Sequence, residues 1–92
     1  MINFGGIKFF PEEVEAVLDA HPDVRESRVS GLPHERWGAV AVAEFVAHDV
    51  ARPPTAAVLG RHCRERLAAY KVPARFRLVA ALPRTPSGKL RR

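Results

Sequence analysis

The run Ala39–Ala47, Ala-Val-Ala-Val-Ala-Glu-Phe-Val-Ala, constrains the fold of this 92-residue chain more than any other stretch. β-Branched valines with small residues between them suit a pleated strand, and the β-branched ones favour a helix less. Val40, Val42 and Val46 fall on one side of such a strand, with Ala41, Ala43 and Phe45 on the other. A strand so apolar on both sides is expected at the centre of a sheet, covered on both faces. The rest of the chain then has to supply neighbouring strands and cover.

Val24 to Leu32 reads as the preceding strand, with Glu26, Arg28 and Ser30 on a polar face and Gly31-Leu32-Pro33 closing it. His34-Glu35-Arg36-Trp37-Gly38 is a polar turn with the only tryptophan, which beside a turn reads first as a packing residue. Upstream, Pro11 suits a first helical turn, and Glu12 and Glu13 complement the positive end of the dipole. Val14, Val17, Leu18 and His21 then form one helical stripe that His21-Pro22 ends. His21 reads as a helix-end residue, because no second metal-type residue stands at a useful spacing. Ile7 and Phe9 read as a short strand. Before them, the paired Gly5 and Gly6 mark a tight turn or a close backbone approach.

Downstream of the central run, His48 to Pro54 is a loop and Thr55 an N-cap for a helix expected through Tyr70. Leu59, Cys63, Leu67 and Tyr70 form its buried stripe; Arg61, Arg64, Glu65 and Arg66 its wet face. Gly60 weakens that helix by about 1 kcal/mol relative to Ala. Lys71-Val72-Pro73 stops it, and Arg75 to Ala80 alternates, Phe76 and Leu78 opposite Arg75 and Arg77. The order strand, helix, strand, strand, helix, strand is that of an α+β domain. A small sheet of about three to four strands is expected, with two helices packed on it.

Hydrophobic residues make up 47% and charged residues 27%, as in an ordinary globular domain near the lower size limit for independent folding. A single cysteine, Cys63, excludes an intrachain disulfide and favours a cytoplasmic setting. It reads as a core thiol. No apolar run approaches the roughly 18 residues of a membrane span, and no signal-peptide pattern opens the chain. The net charge of +5 favours an anionic partner: nucleic acid, a nucleotide cofactor or a phosphate-bearing substrate. At the other end, Pro83-Arg84-Thr85-Pro86-Ser87-Gly88 breaks regular structure and should place Lys89 on an exposed loop. There its compact charge on a flexible stem can reach a phosphate or carboxylate.

Three stretches, in order and in register, resemble the C-terminal domain of the adenylate-forming enzymes, above all the acyl-CoA synthetases. Residues 1–15, M-I-N-F-G-G-I-K-F-F-P-E-E-V-E, look like the hinge-proximal motif D-M-I-x-x-G-G-x-x-x-x-P-x-E-V-E, starting one residue after its aspartate. Residues 29–38, V-S-G-L-P-H-E-R-W-G, look like V-x-G-x-P-x-x-x-x-G. Leu67 to Lys89, L-A-A-Y-K-V-P followed by L-P-R-T-P-S-G-K, looks like the closing motif.

The resemblance implies a mobile lid domain, residues 1–92, belonging to a longer enzyme whose N-terminal domain holds ATP, with Mg2+, and the acid. Such enzymes activate a carboxylic acid with ATP to an acyl-adenylate and pass the acyl group to the thiol of coenzyme A. Lys89 matches the adenylation lysine. A positive charge between an approaching carboxylate and a phosphate is what that step needs. Gly5 and Gly6 match the loop that lines the pantetheine channel in the second step, and Trp37 matches a position bordering it. Tyr70, Lys71 and Arg75 lie where relatives place side chains near the CoA nucleotide.

The chain departs from the pattern in lacking the hinge aspartate and the helix that follows the lysine, and in having Ala39 where many relatives are acidic. Alone it is expected to be inactive. Two other readings stand beside this one. An adenylation domain loading a carrier-protein thiol is disfavoured by the ending S-G-K-L-R-R, where peptide synthetases more often end N-G-K-x-D. A small basic nucleic-acid-binding module fits the charge, but its sheet would display aromatics on an open face, whereas Phe45 and Phe76 alternate as core residues.

Overall fold

A computed structural model describes residues 1–82 of the chain. The long run does form the central strand: β4 (Gly38–Ala47) pairs antiparallel with β3 (Val24–His34) from Val24↔Ala47 to His34↔Gly38. β1 (Ile2–Phe4) and β2 (Ile7–Phe9) make a short hairpin, and Phe4 pairs with Gly38 at the start of β4. β5 (Arg75–Leu78) runs parallel to β4 further along, from Val42↔Arg75 to Phe45↔Leu78. Among the described residues the sheet therefore has five strands, one more than the periodicity showed. The added one is Ile2–Phe4, too short to display an alternation.

Helices α1 (Pro11–Asp19) and α2 (Ala56–Arg64) pack on one face of this sheet. Pro11 opens α1, and Glu13 turns its carboxylate back to the Phe10 N–H at 2.9 Å, closing the first turn. Thr55 caps α2 by accepting from the Val58 N–H at 3.2 Å. Ile2, Phe9, Val14, Leu18, Val24, Val29, Ala41, Ala43, Phe45, Leu59 and Cys63 form one buried cluster. Burial raises the Cys63 thiol to about 11, a cost to the thiolate that nearby Arg66 and Arg64 offset only in part, so it packs as a neutral core group.

Four expectations need correction. β4 is covered along its whole length on one face only: Ala41, Ala43, Phe45 and Ala47 are buried there, while on the other face Val46 is buried but Val40, Val42 and Glu44 are partly exposed. The neighbouring strands bring Arg28, Arg75 and Arg77 to that second face, and charged side chains keep it wet. β3 does not close at Pro33 but continues to His34; it pairs only with β4, and the missing proline N–H costs no ladder bond on an edge strand. α2 stops at Arg64 and not at Tyr70, with Glu65, Arg66 and Leu67 donating to carbonyls of its last turn. A separate 3₁₀ turn, Ala69–Lys71, then carries Tyr70 to the core edge. Finally, Leu78 is exposed although Phe76, on the same side of β5, packs against the core.

α1 also covers the outer edge of β3. Buried Glu15 accepts from the Val29 N–H at 2.7 Å, and Asp19 accepts from the Ser27 hydroxyl at 2.7 Å. An edge strand leaves alternate N–H groups unpaired, and a helix carboxylate satisfies one of them here.

Candidate functional site

The β1–β2 and β3–β4 turns meet at one end of the sheet. Gly5 and Gly6 form the first, at φ +56 and +89, backbone that L side chains rarely adopt. Asn3 Oδ1 accepts from the Gly6 N–H at 3.1 Å and closes the turn on its inner side. The second turn lies behind it. The Gly5 N–H donates to the Trp37 carbonyl at 2.7 Å. A Cβ on Gly5 would sit 3.9 Å from Trp37 Cε3, whereas one on Gly6 would meet nothing within 4 Å. The turn is braced from behind and open in front.

An aromatic row runs from there toward α1. Phe4 stacks on Trp37 with ring centroids 5.2 Å apart and on Tyr70 at 6.2 Å, and Phe9 meets Tyr70 edge-on at 5.7 Å. Trp37 remains 42% exposed, so its ring is both a packing element and an accessible face. The Arg36 guanidinium lies 5.7 Å from the Trp37 centroid, and the Lys71 ammonium 5.7 Å from that of Tyr70.

Lys71 also binds Glu13 Oε1 at 2.9 Å, while Glu13 Oε2 holds the Phe10 N–H. The Phe10 N–H first, and Lys71 second, hold the Glu13 carboxyl below its ordinary range; the same bond raises Lys71.

Of the residues singled out from the sequence, Gly5, Gly6, Trp37 and Tyr70 come together along this row, with Lys71 at its end. Arg75 does not join them: it lines the open sheet face with Arg28, Glu44 and Arg77, where Glu44 pairs with Arg28 at 3.2 Å. Lys89 lies outside the described residues. Sequence reasoning missed Phe4, which links Trp37 to Tyr70, and Asn3 and His34, whose side chains shape the two turns. Asn at a glycine turn was an available signal.

The row is not itself a cavity. A cleft of about 470 Å³ lies elsewhere, between Met1, Phe10, Glu12, Arg28 and Gly31. The described residues hold no group of three or more His, Cys, Asp or Glu that could bind a metal ion. No helix of the described residues is long and apolar enough to cross a membrane.

These features define a small α+β domain that presents a glycine turn and an aromatic row as a surface, with no enclosed site of its own among the described residues. Residues 13–89 match the AMP-binding enzyme C-terminal domain, and the chain belongs to that family.

Its relatives are acyl-CoA ligases. The chain is 50% identical over 92 residues to the 2-succinylbenzoate–CoA ligase of Geobacillus kaustophilus, covering 100% of this chain and 19% of that protein. It is 46% identical over 88 residues to the medium/long-chain-fatty-acid–CoA/3-oxocholest-4-en-26-oate–CoA ligase of Mycolicibacterium smegmatis, covering 96% and 16%. Among solved structures, a double mutant of Bacillus subtilis o-succinylbenzoate CoA synthetase bound with its product analogue superposes with a TM-score of 0.92. That match has 44% identity and covers 98% of this chain and 18% of the other. The chain thus spans less than a fifth of the length of these relatives.

Proposed function

We propose that this chain works as the mobile lid of an ATP-dependent, AMP-forming acyl-CoA ligase. In the first step a carboxylate oxygen attacks the α-phosphate of ATP and pyrophosphate leaves. In the second the thiolate of coenzyme A attacks the adenylate carbonyl and AMP leaves. Lys89 serves the first step, its charge lying between the two anions and stabilising the transition state. The Gly5–Gly6 turn serves the second, lining the path of the pantetheine arm with Trp37 at its border. Tyr70 and Lys71 lie toward the CoA nucleotide. Arg75 lies on the other face of the sheet, apart from this row. ATP, the acid and Mg2+ belong to an N-terminal domain.

The observation that carries this reading is the turn itself: two glycines at positive φ, buttressed by Trp37, with open space where a side chain of residue 6 would project. Positive φ at both residues of a two-residue hairpin already favours glycine; what supports the channel reading is the open space in front of Gly6, which leaves room for a substrate arm. A surface without an enclosed site also fits a lid, whose channel forms only against a second domain. The acid is chosen outside these residues: relatives at least 46% identical over this region are named for 2-succinylbenzoate in one case and fatty acids in the other.

Lys89→Ala in the ligase carrying this domain tests the reading. Loss of a preorganised positive group is expected to slow acid-dependent pyrophosphate exchange about 10²–10³-fold. Thioester formation from supplied acyl-adenylate and CoA should stay near the wild-type rate. Equal losses in both half-reactions would sink the assignment of separate faces to separate steps.

A further inference from the structure

The Trp37 peptide is held at both ends. Its carbonyl accepts from the Gly5 N–H at 2.7 Å, and its N–H donates to His34 Nδ1 at 3.3 Å. The same nitrogen accepts from the Arg36 N–H at 3.1 Å. One unprotonated imidazole nitrogen thus gathers two successive donors of the β3–β4 turn, as an Asx side chain does in a tighter turn. His34 is the last residue of β3, paired with Gly38 on β4, so its Cα is fixed by the sheet. Gly38 follows Trp37 at φ +84, and a Cβ there would lie 3.1 Å from the Asn3 carbonyl oxygen. The turn therefore has a permissive residue on one side of Trp37 and a side-chain latch on the other. Without the latch, the Trp37 N–H loses this acceptor, and the residue is held by the Gly5 hydrogen bond, the stacking on Phe4 and the Arg36 contact.

We infer that His34 is a positioning residue for the acceptor-thiol step: its Nδ1 fixes the Trp37 peptide, and Trp37 in turn fixes the Gly5–Gly6 turn. This inference rests on the reading of that turn as a wall of the thiol channel. The required chemistry is an acceptor two bonds from Cβ. Asn supplies one in the same place, Gln places it one carbon too far, and Ala has none.

Trp37 is the only tryptophan, so indole emission reports this one site. In the 92-residue chain, His34→Ala should raise acrylamide quenching of Trp37 and speed exchange of its amide about tenfold or more, as for a locally opened hydrogen bond. In the ligase the same substitution should raise KM for CoA about tenfold and leave pyrophosphate exchange within about twofold. His34→Asn should restore both readouts and His34→Gln neither.

Unchanged Trp37 quenching and exchange in His34→Ala overturns the latch. A freed Trp37 with unchanged KM for CoA, or a failure of Asn to rescue, overturns its role in the second step. The quenching readout does not involve catalysis. Failure of the lid reading would show separately, as equal losses in both half-reactions on Lys89→Ala.

Discussion

Leu18 and Gly6 mark two regions of the molecule that are held by different physics. Leu18 has no exposed surface and belongs to one cluster with Val14, Val24, Leu59 and Cys63. Gly6 stands at the opposite extreme, with nothing within 4 Å of where its Cβ would be. The helix-covered face is fixed by volume, and each side chain there is defined by what surrounds it. The turn end is fixed by backbone: two positive-φ glycines, the Gly5–Trp37 hydrogen bond and the side-chain acceptors Asn3 and His34. A change in the first region alters how much folded domain exists, and so touches every activity alike. On the channel reading, a change in the second alters shape where the pantetheine arm passes, and so can touch one step.

The largest expected effect comes from Leu18→Ala. Truncating a fully buried leucine costs about 2–5 kcal/mol, a large part of the stability of a domain this size. Both half-reactions of the ligase should fall together, in proportion to the folded fraction from a urea titration. Cys63 gives an independent count of unfolding. With its thiol pushed up to about 11 and no exposed surface, it should resist alkylation at neutral pH in the wild type and react in Leu18→Ala whenever the domain opens. A selective loss of either half-reaction would break the comparison, because it would give the core a catalytic geometry of its own.

Gly6→Leu sharpens it from the other side. A Cβ at this position meets no neighbour within 4 Å, so the stability cost is chiefly backbone strain, on the order of 1–2 kcal/mol. On the channel reading the new side chain obstructs the pantetheine arm: CoA-dependent turnover collapses while pyrophosphate exchange stays near normal. Thermal melting of the variant controls for folding. Equal losses that track a lowered melting point would leave the glycine a turn former only. Gly5→Leu should give a mixed result, since its Cβ points at Trp37 Cε3 from 3.9 Å and would also unseat the indole.

The two regions differed in how much of them the sequence disclosed. α1 was legible because Pro11, Glu13 and the Val14, Val17, Leu18 stripe all specify the same element. The end of α2 was not. Leu67 and Tyr70 keep the helical phase although the backbone breaks after Arg64, and no Gly or Pro marks the break. The exposed second face of β4 could have been read by adding the polar residues of its neighbours, Arg28 and Ser30 on one side, Arg75 and Arg77 on the other. In the turn end, the paired glycines stood out because few other residues accept positive φ. Their supports did not, because nothing local to Asn3, Phe4 or His34 says that two turns 30 residues apart along the chain touch.

The smallest effect concerns the joint between the two regions. Glu13 closes α1 through the Phe10 N–H and reaches Lys71 beside Tyr70, tying the helix to the end of the aromatic row. Its folded carboxyl lies below the ordinary 4.5, so its contribution is complete above that value and is lost as pH falls through the lowered one. Lys71 works in the opposite sense: raised above 10.5, it contributes fully below that value and loses its share as pH climbs past the raised one. Stability from this joint is therefore flat through neutrality and declines first on the acid side. The pair is solvated, so the decline should be slight and smaller still in high salt. Glu13→Gln keeps an acceptor for Phe10 but loses the charge. Its melting point should lie just below the wild type at neutral pH and meet it once the pH has fallen below the lowered Glu13 value, where both side chains are uncharged. The loosening should also be local. On acidification, Trp37 quenching should rise in the wild type before Cys63 reacts with 4,4′-dithiodipyridine, a disulfide reagent that still attacks thiols in acid, because the joint anchors the aromatic row while the core keeps its volume. Cys63 reacting first, or a gap between the two proteins that widens in acid, would mean that Glu13 supports the core directly and that the two regions are not separable at this joint.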